Sequence, residues 1–338
     1  MKMKKVAYAL LACACLLSCG EKKNRYAEID TSKSSVGEIK IERFDRDFFQ
    51  IDTCKTDSSI SLIKQKYGSF ADLYLRGVIG VSTFNPENKI VREFLTHPAY
   101  RELYSDCENI FQDMGKEEQE LTVAFQRLNT LFPDMQIPKV YTIFSGFGNF
   151  ITVDDGVLAI SLDYYMGKDY KNYKYIDGIY EYLIANLRRE KIASDAVKGW
   201  VESEIPMAEE NPNLLDNIIY QGKLMYLLEA LFPDTEKTEL MGYTQDQWNW
   251  CDANEAQMWG YLTDNRHLFS TDQVLIAKYT TPAPFTSYFP QESPGRTGIW
   301  IGWQIVRAYM DKNEEVSIQE MLKIKAQEIL EKSGYRPH

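Results

Sequence analysis

One stretch of the chain is apolar on nearly every helical face, and it constrains the fold more than any other. Residues 214–231 read LLDNIIYQGKLMYLLEAL. A helix without a polar face must be surrounded by protein. Gly222 in its middle costs about 1 kcal/mol relative to Ala, which indicates that another backbone approaches closely. Because 338 residues can enclose such a helix, we predict a large domain built around it.

Helical periodicity dominates the rest of the chain. Residues 57–131 are predicted to be mostly helical, with the clearest apolar stripe over 117–132. Pro133 ends that stripe because it cannot continue the helical hydrogen bonds. Further helices are predicted over 175–190 and 244–262, the second of which carries several Trp.

The β signal is concentrated in the middle of the chain. Three short runs, PKVYTIF, NFITV and GVLAISL, lie between residues 138 and 162. Asp155 and Gly156 separate the last two runs and predict a tight hairpin turn. Asp154 and Asp155 are interpreted as turn residues and not as a catalytic pair, because adjacent side chains at a turn point apart. A first strand is predicted within GEIKIERFDRDFF, residues 37–49.

These patterns predict an α+β fold that is predominantly helical. A small antiparallel β-sheet or hairpin would pack against helices. Residues 37–338 contain no linker-like segment, and they are therefore predicted to form a single domain.

The N-terminus has the pattern of a bacterial lipoprotein signal. MKMKKVAYALLACACLLSCG has three Lys, an apolar run too short for the roughly 20 residues that span a bilayer, and a Leu three residues before a Cys. We predict a signal peptide over 1–18, a lipid (palmitate-type) on Cys19 and a flexible tether over 19–36. Lipidation at Cys13 and an uncleaved anchor are the alternatives.

The net charge indicates which partners are excluded, and the cysteine spacing indicates whether a zinc site is present. The net charge of −11 argues against nucleic acid. Cys54, Cys107 and Cys251 lie too far apart for a zinc motif. For these three cysteines, the sequence allows two interpretations: one disulfide bond, or free thiols buried in the core.

Catalytic motifs are not found in the sequence. The three His residues, His97, His267 and His338, cannot form the paired-His helix motif of zinc hydrolases. There is no G-x-S-x-G nucleophile elbow and no phosphate-binding Gly-Lys-Ser/Thr loop. The sequence therefore predicts no catalytic residue, no metal and no cofactor.

SPGRTGIWIGWQIVRAYM, residues 293–310, is the clearest candidate for a binding site. A loop rich in Pro and Gly precedes a helix that begins near Arg296 or Thr297. The guanidinium of Arg296 could pair with a carboxylate in front of this helix. The structural alternative is a buried C-terminal helix in which Gly298 and Gly302 allow close packing.

Other candidate binding residues lie on predicted helices. Lys223 must find a partner or reach solvent, because burying an unpaired ammonium is costly. Lys223 and Tyr220 together predict the wall of a pocket. Trp259 and Trp303 belong to a Trp-rich C-terminal half and are either core or ligand-contacting residues. The 22 Tyr and 6 Trp also favour the alternative of a glycan-binding protein, because aromatic rings stack on sugars.

The chain resembles the gliding-motility lipoprotein GldB family over residues 40–335. The resemblance rests on the order and spacing of IERFDRDFF, LFPDMQIPKVYTIFSGFGN, LDYYMGKDYKNY, IIYQGKLMYLLEALFPD, YTQDQWNWCDANEAQMW and APFTSYFPQESPGRTGIWIGWQIVRAYM. It implies a lipoprotein of the Gram-negative envelope, linked in gliding bacteria to the motility and secretion machinery. The expected location is the outer membrane, on its periplasmic rather than its external face.

The resemblance also implies a layout similar to zincin metallopeptidases. The edge hairpin would be 140–162, a metal-holding helix 175–190, and a helix with a third ligand 214–231. The 175–190 segment has no His, and its nearest polar groups are Glu181, Asn186, Arg188 and Arg189. We therefore expect a non-catalytic protein that binds envelope proteins. The alternatives are a hydrolase with atypical ligands and a protein that binds peptidoglycan or another glycan.

Overall fold

The computed structural model describes residues 24–337. The predicted signal peptide, Cys13 and Cys19 lie outside the described residues, as does His338. The strands are β1 Ile41–Glu42, β2 Lys139–Ile143, β3 Ile151–Asp154 and β4 Val157–Ser161. The α-helices are α1 Phe44–Phe49, α2 Thr56–Tyr67, α3 Ser69–Leu73, α4 Glu87–Thr96, α5 Pro98–Ile110, α6 Gly115–Leu131, α7 Glu181–Ile184, α8 Ile192–Glu204, α9 Leu214–Leu231, α10 Lys237–Met241, α11 Gln245–Ala253, α12 Glu255–Asp264, α13 Gln273–Thr280, α14 Thr297–Lys312, α15 Ile318–Lys323 and α16 Ala326–Ser333.

The predominantly helical α+β class is confirmed. The four strands form one sheet in the order β1-β2-β4-β3. The hairpin predicted at Asp155-Gly156 joins β3 to β4, with Gly156 at a φ of +67°. No described helix is long and apolar enough to cross a bilayer.

The prediction of an antiparallel sheet is wrong for two of the three strand pairs. β2 pairs in parallel with both β1 and β4, so only the β3–β4 pair is antiparallel. Val140 to Ile143 of β2 are all buried, as expected for an inner strand covered on both faces. Tyr141, for example, stacks on Phe70 of α3 with ring centroids 3.9 Å apart.

The predicted central helix is confirmed with its predicted bounds. α9 begins after a capping box made by Asn213 and Asp216. It packs on α6, α8, α13 and α16, and most extensively on α14. A Cβ built on Gly222 would lie 2.4 Å from the backbone of Gly302, which confirms the predicted close approach.

The helix predicted within residues 293–310 begins where the sequence predicts. α14 starts at Thr297 and is buried over most of its length, so the structural interpretation of Gly298 and Gly302 is confirmed. A Cβ on either glycine would lie within 3.0 Å of neighbouring residues. Arg296 precedes the helix in the left-handed region, with a φ of +62°.

The helix predicted over 175–190 is wrong. Only the single turn α7 forms, because the backbone of the segment is used for tertiary contacts. The carbonyl of Leu187 accepts from the Gly167 N–H at 3.0 Å, and Arg188 makes a β-bridge with Met166. The helix predicted over 244–262 is interrupted at Asn254 and forms α11 and α12.

Residues 24–36, the described part of the predicted tether, pack against the helices. The Asn24 amide donates to the Tyr226 carbonyl at 3.1 Å. Arg127 of α6 donates to the carbonyls of Tyr26 and Ala27. These residues are therefore fixed against the helices, while 19–23 lie outside the described part of the chain.

The three cysteines within residues 24–337 are free thiols. Cys107 and Cys251 are buried, as one of the two alternatives predicted, whereas Cys54 is exposed.

Candidate functional site

A large cleft of about 1150 Å³ lies between the sheet edge and the C-terminal helices. Its walls come from β3, α8, the segment 177–188, the turn after α10 and the start of α14. We call this the α8 cleft. Its lining residues are Phe147, Phe150, Ile151, Val153, Tyr164, Lys168, Asp177, Gly178, Ile179, Tyr182, Leu183, Ala185, Asn186, Leu187, Arg188, Lys191, Asp195, Lys198, Gly199, Glu202, Met225, Leu240, Met241, Gly242, Tyr243, Thr244, Gln247, Pro282, Ala283, Gly295, Arg296 and Ile299.

Strand β3 and helix α8 form one wall together. β3 is an edge strand, with β4 as its single partner in the sheet. α8 packs on β3 through Gly199, where an added Cβ would lie 3.1 Å from Ile151 Cγ2. The buried side chains of Ala196, Val197 and Trp200 hold the other face of α8 in the core. Asp195, Lys198 and Glu202 are thereby left to face the cleft.

Arg296 brings a guanidinium to this cleft. Its Nη2 donates to the Met241 carbonyl at 2.6 Å, and its guanidinium carbon lies 5.7 Å from the centre of the Tyr243 ring. It makes no ion pair with a carboxylate of residues 24–337. The guanidinium is thus positioned by a carbonyl and a ring, neither of which neutralises its charge.

A second cation, Lys198, lies near Arg296. Burial lowers the pKa of Lys198, the attraction of Glu202 opposes this, and the positive charge of Arg296 lowers it further. Its Nζ is 3.7 Å from Glu202 Oε1, an atom that also accepts from Gln221 at 3.1 Å. Two cations that repel each other across a cleft favour an anion between them.

The charges lining the cleft have an excess of cations. Five of the charged lining residues are positive (Lys168, Arg188, Lys191, Lys198 and Arg296) and three are negative (Asp177, Asp195 and Glu202). The whole chain carries −11. Arg188 pairs with Glu190 and Glu239, Lys191 lies 3.5 Å from Asp195, and Lys198 lies 3.7 Å from Glu202. Lys168 and Arg296 are the lining cations that no carboxylate of residues 24–337 pairs, and unpaired positive charge attracts anionic groups.

The opposite rim is aromatic and is held by a buried carboxylate. Asp163 accepts from the Phe147 N–H at 2.6 Å and from the N–H and hydroxyl of Ser145 at 3.2 and 3.1 Å. Phe147 and Phe150 then line the cleft. Burial raises the pKa of Asp163 to about 6, although the hydrogen bonds from Phe147 and Ser145 oppose the shift.

The raised pKa of Asp163 predicts a pH-dependent stability. Because its pKa is 3.8 when unperturbed and about 6 in the folded chain, the folded state holds the proton more tightly. Its stabilising contribution is fully present below pH 3.8 and is lost as pH rises through about 6. We expect the free energy of unfolding, relative to Asp163→Asn, to fall by up to about 3 kcal/mol over that window.

Urea unfolding of both proteins across this pH range measures the difference. A difference that stays flat would show that Asp163 does not titrate as its environment indicates.

The residues of the cleft do not fit a catalytic metal ion. Among residues 24–337, no group of three or more His, Cys, Asp and Glu side chains is placed to hold one. The helix beside the sheet edge is α8, not the segment 175–190, and it carries Lys198 between Asp195 and Glu202. An ammonium at this position repels a cation.

The structure separates the residues that the sequence singled out. Arg296 lines the α8 cleft, and Glu181 is exposed next to the lining residue Tyr182. Lys223 and Tyr220 line a different pocket. Trp303 is fully buried and donates to Glu229 at 3.2 Å.

Tyr residues line the cleft, whereas the Trp residues singled out in the sequence do not. Trp259 is half-buried and packs edge-on against Tyr335, away from both cavities. Of the Trp side chains in the described chain, none lines the cleft, whereas Tyr164, Tyr182 and Tyr243 do.

Sequence reasoning did not single out α8 or its Lys198 as part of a site. The signal was present, since Ala193, Ala196, Val197 and Trp200 follow a helical spacing. The spacing of residues in the sequence cannot reveal that Lys198 and Arg296, almost a hundred residues apart, face the same cleft.

Comparison with known proteins gives one match. The family model described as "Gliding motility protein GldB" matches residues 24–337, which is the whole described chain. No curated protein and no solved structure matches.

Proposed function

We infer a function from the premise that this chain belongs to the gliding motility protein GldB family. We propose that it is a lipid-anchored envelope protein, held at the periplasmic face of the outer membrane. In this proposal the α8 cleft binds an extended, carboxylate-bearing segment of a partner envelope protein, and no reaction is catalysed.

The observation that carries the proposal is the pair of cations in the α8 cleft. Arg296 is positioned without an ion pair to any described carboxylate, and Lys198 lies close enough for their charges to interact. A carboxylate between them would gain charge-assisted hydrogen bonds. The cations that line the cleft of a chain with a net charge of −11 support an anionic occupant.

The edge strand supports an extended segment as the occupant. β3 has a partner on one side only, and its Ile151 and Val153 border the cleft. An exposed edge strand accepts an additional strand through main-chain hydrogen bonds, while neighbouring pockets select side chains. Phe147, Phe150 and Tyr182 supply apolar surface for those side chains.

The fixed N-terminal segment supports action close to the membrane. Residues 24–36 pack on the domain, so a lipid on Cys19 would be separated from it by 19–23 alone. Five residues span at most about 18 Å. The anchored domain would therefore stay near the bilayer surface and meet partners there.

A titration with acidic peptide tests the proposed function. The probe is a short peptide that alternates Val and Glu, and the comparison is the same peptide with Gln for Glu. We expect the acidic peptide to bind at least about tenfold more tightly, because only its carboxylates pair with the cations. Combining Arg296→Met with Lys198→Met should remove this preference.

Lys89→Met is the matched control, because Lys89 is 63% exposed on α4 and does not line the cleft. It should leave the preference unchanged. Equal binding of both peptides, or a preference that survives the double substitution, would refute the proposal.

A further inference from the structure

A second pocket, of about 550 Å³, lies on the other side of α9 from the N-terminal half of α14. Its lining is mostly apolar and comes from the end of α6, the loop after α8, α9 and α15. We call it the Lys223 pocket. Its lining includes Ile205, Met207, Ile219, Lys223, Gln319 and Lys323. Its volume is typical of small-molecule sites.

The wall of this pocket contains a buried ammonium. Lys223 is only 8% exposed. Its Nζ donates to the carbonyls of Leu322 at 3.1 Å and Ile324 at 2.5 Å. An ammonium has three donors, so two carbonyls leave one direction unused. No carboxylate in residues 24–337 lies within ion-pair distance of it.

The charged groups around Lys223 do not neutralise it. Asp216 is on the same helix, but its carboxylate accepts from the Asn213 N–H in the capping box. Glu209 is exposed in the loop after α8, and Lys323 is exposed on α15. Burial lowers the pKa of Lys223 to about 8, opposed by the attraction of Glu209 and Asp216. The Tyr220 phenol stays neutral, since burial raises its pKa to about 12.

A single buried cation in an apolar pocket specifies an amphipathic anion. A carboxylate would compensate the charge that two carbonyls only solvate, and an apolar chain would cover Ile205, Met207 and Ile219. We propose that the Lys223 pocket binds a fatty-acid-class monocarboxylate, with the carboxylate paired to the Lys223 ammonium and the chain on the apolar wall. This site is separate from the α8 cleft and does not rest on the function proposed for it.

The location of the pocket suits a ligand that comes from the membrane. Asn24, the first described residue, donates to Tyr226, which follows Lys223 by one helical turn on α9. The Tyr26 hydroxyl accepts from the N–H of Ile318, the residue before the lining residue Gln319. The chain therefore enters the domain beside this pocket, and a lipid on Cys19 would bring the pocket close to the bilayer.

The test compares octanoate with octanol, which differ in the carboxylate. The chain from residue 20 onward is used, because it keeps every residue of the described domain. In calorimetric titrations near pH 7 we expect octanoate to bind at least about tenfold more tightly than octanol. Lys223→Met should weaken octanoate at least about tenfold and leave octanol within about twofold.

Lys323→Met removes the same charge from the pocket rim and should change neither affinity by more than about twofold. If Lys223→Met does not fold, the unchanged protein still decides the question. Its octanoate affinity should fall as pH rises through about 8, the pKa of Lys223, while its octanol affinity stays constant. Equal binding of both probes, an unaffected Lys223→Met, or a flat pH profile would overturn the proposal.

Discussion

The substitution Gly302→Ala should lower the free energy of unfolding by at least about 3 kcal/mol, because α9 and α14 touch backbone to backbone. A Cβ at Gly302 would lie 1.8 Å from the Ile218 carbonyl oxygen, and one at Gly222 would lie 2.4 Å from the Gly302 backbone. Neither contact can be relieved by a side-chain rotation. The two central helices would have to separate, and the core around them would lose contacts.

Chemical denaturation with Gly260→Ala as control measures this effect. Gly260 lies within α12, and an added Cβ there meets nothing within 4 Å. The same substitution should therefore stabilise the chain by up to about 1 kcal/mol through helix propensity. Equal effects at the two positions would show that α9 and α14 are not in close contact.

The second large effect is expected from Asp45→Ala, which should cost about 3–5 kcal/mol of stability. Asp45 is 1% exposed. It accepts two hydrogen bonds from Arg43, at 2.9 and 2.7 Å, and one from the Thr142 hydroxyl of β2 at 2.6 Å. Removing the carboxylate leaves a largely buried guanidinium with Glu108 as its remaining carboxylate partner.

Glu38→Ala is the control for Asp45→Ala. Glu38 also pairs with a cation, Lys40, but both side chains are at least 60% exposed. An exposed pair contributes at most about 1 kcal/mol. Denaturation midpoints of the two variants should differ clearly. A similar small loss in both would mean that burial adds nothing to the Arg43–Asp45 pair.

The sequence predicts best where one local pattern decides the structure. The apolar run 214–231 has a single solution, a buried helix, and its bounds are confirmed. Gly222 identified the close contact because a glycine inside such a helix needs a steric reason. Asp155-Gly156 located the hairpin because few other residues favour that turn.

Prediction fails where distant contacts decide the structure. The stripe in 175–190 satisfies a helical period, yet Leu187 and Arg188 use their backbone groups to bind the segment 166–167. Likewise, no local pattern reveals that β2 pairs in parallel with β4, because β3 lies between these two strands in the sequence but not in the sheet. The polar composition of 19–36 predicts a tether, and it does not reveal that Arg127, about a hundred residues away, binds the backbone of Tyr26 and Ala27.

The candidate site illustrates the same division. Arg296 was identified from its loop, since a Pro-Gly-Arg-Thr-Gly sequence before a helix is distinctive. Lys198 and the edge strand β3 were not connected to it, because the α8 cleft exists only once the sheet and α14 are assembled. The chemistry of the cleft is therefore a property of the fold.

The most direct test of the proposed function is photocrosslinking from the α8 cleft in the native envelope. A photoreactive amino acid would replace Tyr182, which lines the cleft, in the full-length chain. The same replacement at Phe84, which is 93% exposed, is the control. We predict that Tyr182 crosslinks to an Asp- or Glu-containing segment of a partner, and that Arg296→Met with Lys198→Met lowers the yield at least about tenfold. A yield at Tyr182 that does not depend on these two cations, or no crosslink there at all, would contradict the account.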